Sequence, residues 1–238
     1  MEPDRANAVG RNTPGDPASP PDAAGPVAPP TGELPCYSRK LETRFLDAVT
    51  RSDRILEAGC GTGEFCNDLA AAGHYRVTGV DPDPAAVERA RQAAVRLEAF
   101  PVPRFAVGRA EHLPLEASQF TMVLARIGFA AAPSGESLRQ ALAELHRVLA
   151  PRGRLFAAAL AAATDAPGTY APEAGPPAGP PVGGRYTPYQ FERLLLEVGF
   201  KVLLREDDHV LVAGRREQCL TVVAAKAKVQ PGAATKAR

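Results

Sequence analysis

The sequence has no tryptophan, two methionines and only four cysteines among its 238 residues. Cys36, Cys60, Cys66 and Cys219 form no CxxC pair, and they have no metal-ligand spacing with the four histidines. This arrangement lacks the sequence signatures of a disulfide framework and of a zinc site. We therefore expect reduced thiols, as in a cytosolic protein, and no bound metal.

An excess of charge of one sign is also missing. The chain carries 28 basic and 27 acidic side chains, for a net charge of +1. Because proteins that bind nucleic acid or membrane surfaces rely on a basic field, this balance predicts neither partner. The beginning of the chain has no apolar run of the secretory type, and the most apolar stretch, residues 155–163, is too short to span a bilayer. We expect a soluble protein located in the cytoplasm.

Proline and glycine, in contrast, are abundant, with 24 and 21 residues. Residues 1–33 consist mainly of proline, alanine, glycine and aspartate, and residues 164–186 have a similar composition. Such segments cannot bury enough apolar surface to offset their ordering entropy. We expect a disordered N-terminal segment, one domain over residues 34–227 with a flexible loop at 164–186, and a disordered tail at 228–238 that begins to fray after Val223.

Apolar runs alternate with helical patterns in the middle of the chain. Strands are expected at residues 54–58, 75–80, 103–108, 120–125 and 153–160. Helices are expected at residues 64–72, 84–99 and 134–150, with His146 on the surface of the last one. This alternation predicts a doubly wound parallel sheet that is covered on both faces.

The last part of the domain has a different pattern. A capped helix at residues 187–200 precedes a strand at 201–207, and a second strand at 219–227 follows with no helix between them. Two consecutive strands joined only by a loop predict an antiparallel pair.

The stretch ILEAGCGTGEF, residues 55–65, places Gly59, Gly61 and Gly63 at alternate positions between the first strand and the first helix of the alternation. Glycines at this turn let a ligand approach the backbone closely, and the start of the helix offers free N–H groups. Asp81 ends the next strand, where a carboxylate can accept both hydroxyls of a ribose. The combination predicts a nucleotide-like ligand at this turn.

Two other interpretations of this turn remain open at the level of the residues. The glycines could be simple turn residues, with Asp81 as a helix cap. The ligand could also be a dinucleotide, although the spacing is G-x-G-x-G rather than G-x-G-x-x-G and the chain has no separate catalytic domain. The phosphate-binding pattern G-x-x-x-x-G-K-[ST] is absent from the sequence.

Four stretches together resemble the successive motifs of the class I S-adenosylmethionine-dependent methyltransferases: ILEAGCGTGEF, VTGVDPDPAAVERAR, GRAEHLPLEASQFTMVL and ELHRVLAPRGRLF. The resemblance covers roughly residues 37–226. It implies an α/β fold with a seven-stranded, mostly parallel sheet of order 3-2-1-4-5-7-6 whose last strand is antiparallel. It also implies S-adenosylmethionine as the cofactor and a methyl acceptor, for which the neutral charge favours a small molecule over nucleic acid.

The resemblance assigns roles to individual residues. The glycines would pack under the methionine part of the cofactor, Asp81 would take the ribose, and Pro82 would lie near the adenine. The residues implied to bind the cofactor are Glu57, Gly59, Cys60, Gly61, Gly63, Asp81, Pro82, Ala110, Glu111 and Arg126. No catalytic residue can be named, because methyl transfer depends mainly on alignment of the acceptor. His209 and Tyr186 are candidates for the wall of an acceptor pocket.

The sequence departs from the family pattern at three positions. Arg109 and Thr121 stand where the family often has aspartate, and Arg152 stands where it usually has glycine. The change at Arg152 is tolerable if Gly153 supplies any positive φ angle that the backbone needs there. Arg109 and Thr121, together with the long low-complexity segments, motivate a second interpretation, in which the domain has lost turnover and serves as a binding partner. No feature of the sequence predicts an oligomeric state.

Overall fold

The computed structural model describes residues 39–73, 76–97, 102–125, 135–161, 186–212 and 215–227. The segments expected to be disordered or flexible, apart from Tyr186, lie outside these residues, as do Cys36 and Arg126.

The described residues form one seven-stranded sheet with the order β3-β2-β1-β4-β5-β7-β6. The strands are β1 Ile55–Ala58, β2 Val77–Asp81, β3 Arg104–Val107, β4 Phe120–Ala125, β5 Leu149–Leu160, β6 Phe200–Val212 and β7 Arg215–Lys226. Strands β1 to β5 pair in parallel, and β7 is antiparallel to both β5 and β6. The predicted fold class is confirmed. The order differs from the 3-2-1-4-5-6 sheet of dinucleotide-binding domains, which disfavours that alternative.

Five helices cover the sheet within the described part of the chain. They are α1 Arg39–Leu46, α2 Glu64–Ala71, α3 Pro84–Arg96, α4 Gly135–Val148 and α5 Pro188–Val198. None of these helices is long and apolar enough to cross a membrane.

Local signals determine where two of these helices begin. Asp83 caps α3 by accepting the backbone N–H of Ala85, and Pro84 occupies the first turn. Thr187 and Gln190 form a capping box at the start of α5, and this helix ends at Gly199, whose φ is 103°. Because Asp83 caps α3, Asp81 is not needed as a helix cap.

Two hydrophobic clusters occupy the opposite faces of the sheet, and adjacent strand residues alternate between them. Ile55 and Leu124 belong to the cluster under α1, α2 and α3, whereas Leu56 and Val123 belong to the cluster under α4 and α5. All four side chains are fully buried. Both faces of the parallel strands are therefore apolar, which explains why these strands read as continuous apolar runs in the sequence.

The terminal strand pair is longer than the sequence predicted. β6 was expected only at 201–207 and β7 only from 219, but their pairing extends from Phe200 with Lys226 to Val212 with Arg215. β6 lies at the edge of the sheet, and most of its described side chains are exposed. An edge strand needs an apolar face only where it packs on the core, so β6 carries many polar residues. For this reason its full length does not show as an apolar run in the sequence.

The end of β7 is anchored rather than frayed after Val223. The Lys226 ammonium donates to the carbonyls of His146 and Leu149, at 2.7 Å each, and so satisfies the C-terminal end of α4. His146 was expected on the surface, but it is half-buried, with its ring 5.1 Å from that of Phe200. Burial, together with the charge of Lys226, lowers the pKa of His146.

The turn at the start of β5 corrects the expectation for Gly153. The residue with a positive φ is Arg152, at 66°, and Gly153 does not have one. Gly153 is needed for space instead, since a Cβ there would lie 2.7 Å from Leu149 Cδ1 and 2.9 Å from the oxygen of Ala150. A non-glycine residue thus occupies a left-handed conformation at an exposed turn.

We predict that Arg152→Gly stabilises the protein. Removal of the Cβ relieves the left-handed strain of about 1–2 kcal/mol, and the greater freedom of glycine in the unfolded chain offsets part of this gain. The net gain should be about 0.5–1 kcal/mol, seen as a rise of about 1–4 °C in the thermal unfolding midpoint. Gly153→Ala is the matched control and should lower the midpoint. A decrease in both variants would contradict the assignment of the strain to Arg152.

Candidate functional site

Asp81 joins three loops at the carboxyl ends of β1, β2 and β3. Its Oδ2 accepts the N–H of Gly61 at 2.8 Å, and its Oδ1 accepts the N–H of Asp83 at 2.9 Å. Its backbone oxygen accepts the N–H of Gly108 at 3.0 Å. Asp81 is half-buried.

The glycine turn is built from left-handed residues. Gly59, Gly61 and Gly63 have φ angles of 80°, 52° and 75°. The N–H groups of Gly59 and Cys60 both donate to the oxygen of Val80, at 2.8 and 3.1 Å, which ties the turn to the end of β2. Side chains other than glycine rarely adopt these angles, so the conformation requires the repeated glycine.

The glycines of this turn differ in the space around them. A Cβ on Gly61 would have no heavy atom within 4 Å, so an open cradle lies beside this residue. A Cβ on Gly63 would lie 2.6 Å from Ala90 Cβ and 2.8 Å from Phe105 Cε1. Gly63 therefore allows α2, α3 and β3 to pack closely, whereas Gly61 leaves room for a ligand.

Beneath the turn, the structure places a buried acid and two thiols. Glu57 is 3% exposed, and its Oε2 accepts the thiol of Cys66 at 3.1 Å. The sulfur of Cys60 packs against Gly79, since a Cβ added to Gly79 would lie only 2.7 Å from it. Cys60, Cys66 and Cys219 are free thiols, as expected. Both thiols near the turn belong to the core, so any contact of Cys60 with a ligand would come from its backbone.

The loop after β3 carries the predicted adenine-side residues. His112 N–H donates to the oxygen of Arg109 at 3.0 Å, which closes a tight turn around Ala110 and Glu111. The Arg109 side chain is 71% exposed and lies 3.2 Å from the Glu111 carboxylate, which is 20% exposed. The arginine that replaces the usual acid therefore points to the surface and pairs with the neighbouring acid.

Two side chains of α4, Glu144 and Arg147, form a clamp that holds the loop after β3 in place. Glu144 Oε2 accepts the N–H of Leu113 at 2.8 Å, and Arg147 donates to the oxygens of Leu113 and Leu115 at 3.1 and 2.7 Å. The two side chains also pair with each other at 2.6 Å. Sequence reasoning missed this clamp. The available signal was the acid–base pair three residues apart in ELHRVLAPRG, a spacing that puts both side chains on one side of a helix.

The structure brings most of the predicted cofactor residues together at one edge of the sheet. The glycine turn, Asp81 and the exposed Pro82 are adjacent, and Ala110 and Glu111 follow in the neighbouring loop. Arg126 lies outside the described residues. The acceptor-pocket candidates separate: Tyr186 is fully buried in the core next to the end of β5, whereas His209 is exposed on β6.

Thr121, the second departure from the family pattern, lies away from this site. It is at the start of β4, at the amino edge of the sheet. Its Oγ1 donates to Asp53 Oδ1 at 2.7 Å and accepts the N–H of Arg54 at 2.9 Å. This substitution therefore stabilises the amino edge and does not contact the glycine turn.

Residues 56–157 match a family model described as a methyltransferase domain. A demethylmenaquinone methyltransferase of Chlorobaculum tepidum is 33% identical over 103 residues, which cover 43% of this chain and 39% of that protein. An S-adenosyl-L-methionine-dependent Diels-Alderase, iccD, of Talaromyces variabilis is 34% identical over 122 residues, which cover 49% of this chain and 40% of that protein. The match thus spans about two fifths of the length of these relatives.

The fold is also that of a solved S-adenosylmethionine-dependent methyltransferase from Methanosarcina mazei. The two structures agree with a TM-score of 0.64 at 19% identity, over 80% of this chain and 99% of that chain. The similarity supports the fold.

We predict that Glu144→Gln destabilises the protein at neutral pH by about 1 kcal/mol, because the charge-assisted bonds to Arg147 are weakened. The hydrogen bond from Arg147, with that from Leu113, holds the pKa of Glu144 below its ordinary value. The Glu144 carboxylate therefore contributes its full stabilisation of the folded state above the ordinary glutamate pKa of about 4.3. This contribution is lost as the pH falls through the lower pKa that Glu144 has in the folded protein.

Urea unfolding at pH 7 and pH 3 measures this effect. The difference between wild type and Glu144→Gln should shrink at the lower pH. Glu88→Gln removes an exposed partner of Arg91 and is the control, with an expected change below about 0.5 kcal/mol. A difference that persists unchanged at pH 3 would show that the Glu144 charge does not stabilise the clamp.

Proposed function

We propose that this chain is a class I S-adenosylmethionine-dependent methyltransferase that transfers a methyl group from S-adenosylmethionine to a small-molecule acceptor. The observation that carries the proposal is the open cradle at Gly61 beside the carboxylate of Asp81. Both lie at the carboxyl edge of the parallel strands, where open α/β sheets bind their ligands.

The residues at this edge fit the cofactor. Gly59 and Gly61 would lie under its methionine part, because their backbone has no side chain to keep a ligand away. Each oxygen of Asp81 accepts one backbone N–H, and since a carboxylate has about four acceptor sites, capacity remains for the ribose hydroxyls. Pro82 and Ala110 would border the adenine.

Glu111 and Glu57 have different proposed roles. The Glu111 carboxylate, held by Arg109, would take over the polar contact to the adenine that the family often makes with an acid at position 109. Glu57 would support the turn from below, since its carboxylate is buried against the Cys66 thiol. Contact of Glu57 with the cofactor stays a prediction, as does the role of Arg126.

Methyl transfer requires the protein mainly to orient the cofactor and the acceptor. S-adenosylmethionine supplies an activated methyl group with a neutral leaving group. The chain's own residues would bind the cofactor and hold the acceptor in line with that group, and alignment of this kind is a large source of rate. No general base is assigned. A small-molecule acceptor is supported by the balanced charge of the chain and by the relative named as a demethylmenaquinone methyltransferase.

A second candidate function is cofactor binding without methyl transfer. The observation that favours it is the exposed Arg109 at a position where the family often has an acid. The relative named as an S-adenosylmethionine-dependent Diels-Alderase also shows that a similar sequence carries a name for chemistry other than methyl transfer. Binding and turnover must therefore be measured separately.

The first prediction of this proposal is selective binding. Calorimetry should detect binding of S-adenosylmethionine and of S-adenosylhomocysteine but no binding of NADH. Asp81→Asn keeps an acceptor for Gly61 N–H but loses the charge, so affinity should fall by about 1–3 kcal/mol. Asp83→Asn, at the exposed cap of α3, is the control with unchanged affinity.

Incubation with a low-molecular-mass cell extract and S-adenosylmethionine labelled in its methyl group then separates the two candidate functions. Label in a small molecule supports methyl transfer, and binding with no transfer of label supports the second candidate. Binding of NADH instead of S-adenosylhomocysteine would refute both.

The second prediction uses the two glycines whose surroundings differ. Gly61→Ala should abolish cofactor binding with a stability loss of only about 1–2 kcal/mol, because the new Cβ enters open space at a strained φ. Gly63→Ala should lower stability more, because its Cβ collides with Ala90 and Phe105. Thermal melts with and without S-adenosylhomocysteine report both effects, since a ligand of the native state raises the midpoint. An equal ligand-induced rise in the midpoints of wild type and Gly61→Ala would show that the cofactor does not bind beside Gly61.

A further inference from the structure

A cavity of about 200 Å³ lies at the amino edge of the sheet, at the opposite ends of the strands from the glycine turn. Three arginines line it: Arg54 immediately before β1, Arg76 immediately before β2, and Arg104 at the start of β3. Thr78 and Gln119 contribute polar groups, and no acid is present among the described residues of the lining. The described lining thus carries three positive charges and no negative one.

Strand register explains why the three arginines meet. Ile55 pairs with Val77 and its N–H donates to the oxygen of Arg76 at 2.8 Å, so the arginines preceding each strand are neighbours. Thr78 pairs with Arg104. Because side chains alternate along a strand and adjacent strands lie about 4.8 Å apart, Arg76, Thr78 and Arg104 share one face.

Within the described part of the chain, the three arginines have no acidic partner. Arg54 donates its Nε to the backbone oxygen of Gln119, which fixes its side chain along the wall. The acid next to it, Asp53, has its carboxylate engaged by Thr121 and Thr50. Among the described residues, no carboxylate forms an ion pair with any of the three guanidinium groups. Arg76 and Arg104 are exposed and Arg54 is half-buried, so an anion from solution can reach the three arginines, whose positive charges attract it.

We propose that this cavity is an anion-binding site that takes a phosphate group. The planar guanidinium fork matches the oxygens of phosphate in a bidentate way, and the hydroxyl of Thr78 can add a donor. The cavity is smaller than the roughly 300–1,000 Å³ of pockets that enclose drug-sized ligands. It therefore fits inorganic phosphate or pyrophosphate, or the terminal phosphate of a monoester whose remainder stays outside.

Calorimetry at constant ionic strength tests the site with inorganic phosphate, inorganic pyrophosphate and glycerol 3-phosphate. Wild type should bind at least one of them with one-to-one stoichiometry. Loss of each guanidinium should weaken binding about tenfold or more, so the double variant Arg76→Gln/Arg104→Gln should lose about 100-fold. Arg193→Gln removes the same charge from the exposed face of α5 and is the matched control, with unchanged affinity. Tighter binding of glycerol 3-phosphate than of inorganic phosphate identifies a monoester as the source, and the reverse identifies the free anion.

Two results would overturn the proposal: absence of binding to wild type at millimolar concentrations of all three anions, or equal binding by wild type and the double variant. Urea unfolding verifies that the double variant is folded. The site is independent of the cofactor edge, so the double variant should bind S-adenosylhomocysteine like wild type. If the proposed methyltransferase function fails, anion binding should persist, and the two failures are therefore distinguishable.

Discussion

The carboxylate of Asp81 is the constraint on which the candidate site depends. The N–H of Gly61, a residue with a left-handed backbone, needs a hydrogen-bond partner. Asp81 supplies that partner and at the same time accepts the N–H of Asp83 at the start of α3. The Asp81 side chain therefore sets the distance between the loops after β1 and β2. The backbone oxygen of the same residue binds the loop after β3 through the N–H of Gly108.

A chain of contacts behind the site keeps the third loop in position. Lys226, at the end of β7, satisfies the last carbonyls of α4. In the same part of α4, Arg147 and Glu144 hold the backbone of Leu113. The loop after β3 is thereby linked through α4 to β7, far along the chain. The proposed adenine contacts rest on this framework.

The three departures from the family pattern fall at places where the structure accommodates them. Thr121 replaces a charged acid by a hydroxyl that bonds to Asp53 and to the backbone of Arg54. Arg152 adopts the conformation that a glycine would adopt more easily, and it does so at an exposed turn. Only Arg109 borders the candidate site, and its charge is directed to Glu111. None of the three removes a group that the glycine turn needs.

The sequence alone determined the elements whose signals are local. Apolar periodicity, the helix caps and the repeated glycines act over a few residues, so the order of strands and helices and the position of the turn were predictable. Tertiary structure decided what depends on distant partners. Gly61 and Gly63 look equivalent in the sequence, yet only Gly63 meets α3, because Ala90 packs against it. The sequence of the edge strand β6 is largely polar because most of its described side chains are exposed. Lys226 resembles part of a loose tail because its partners, His146 and Leu149, lie about 80 residues earlier in the chain.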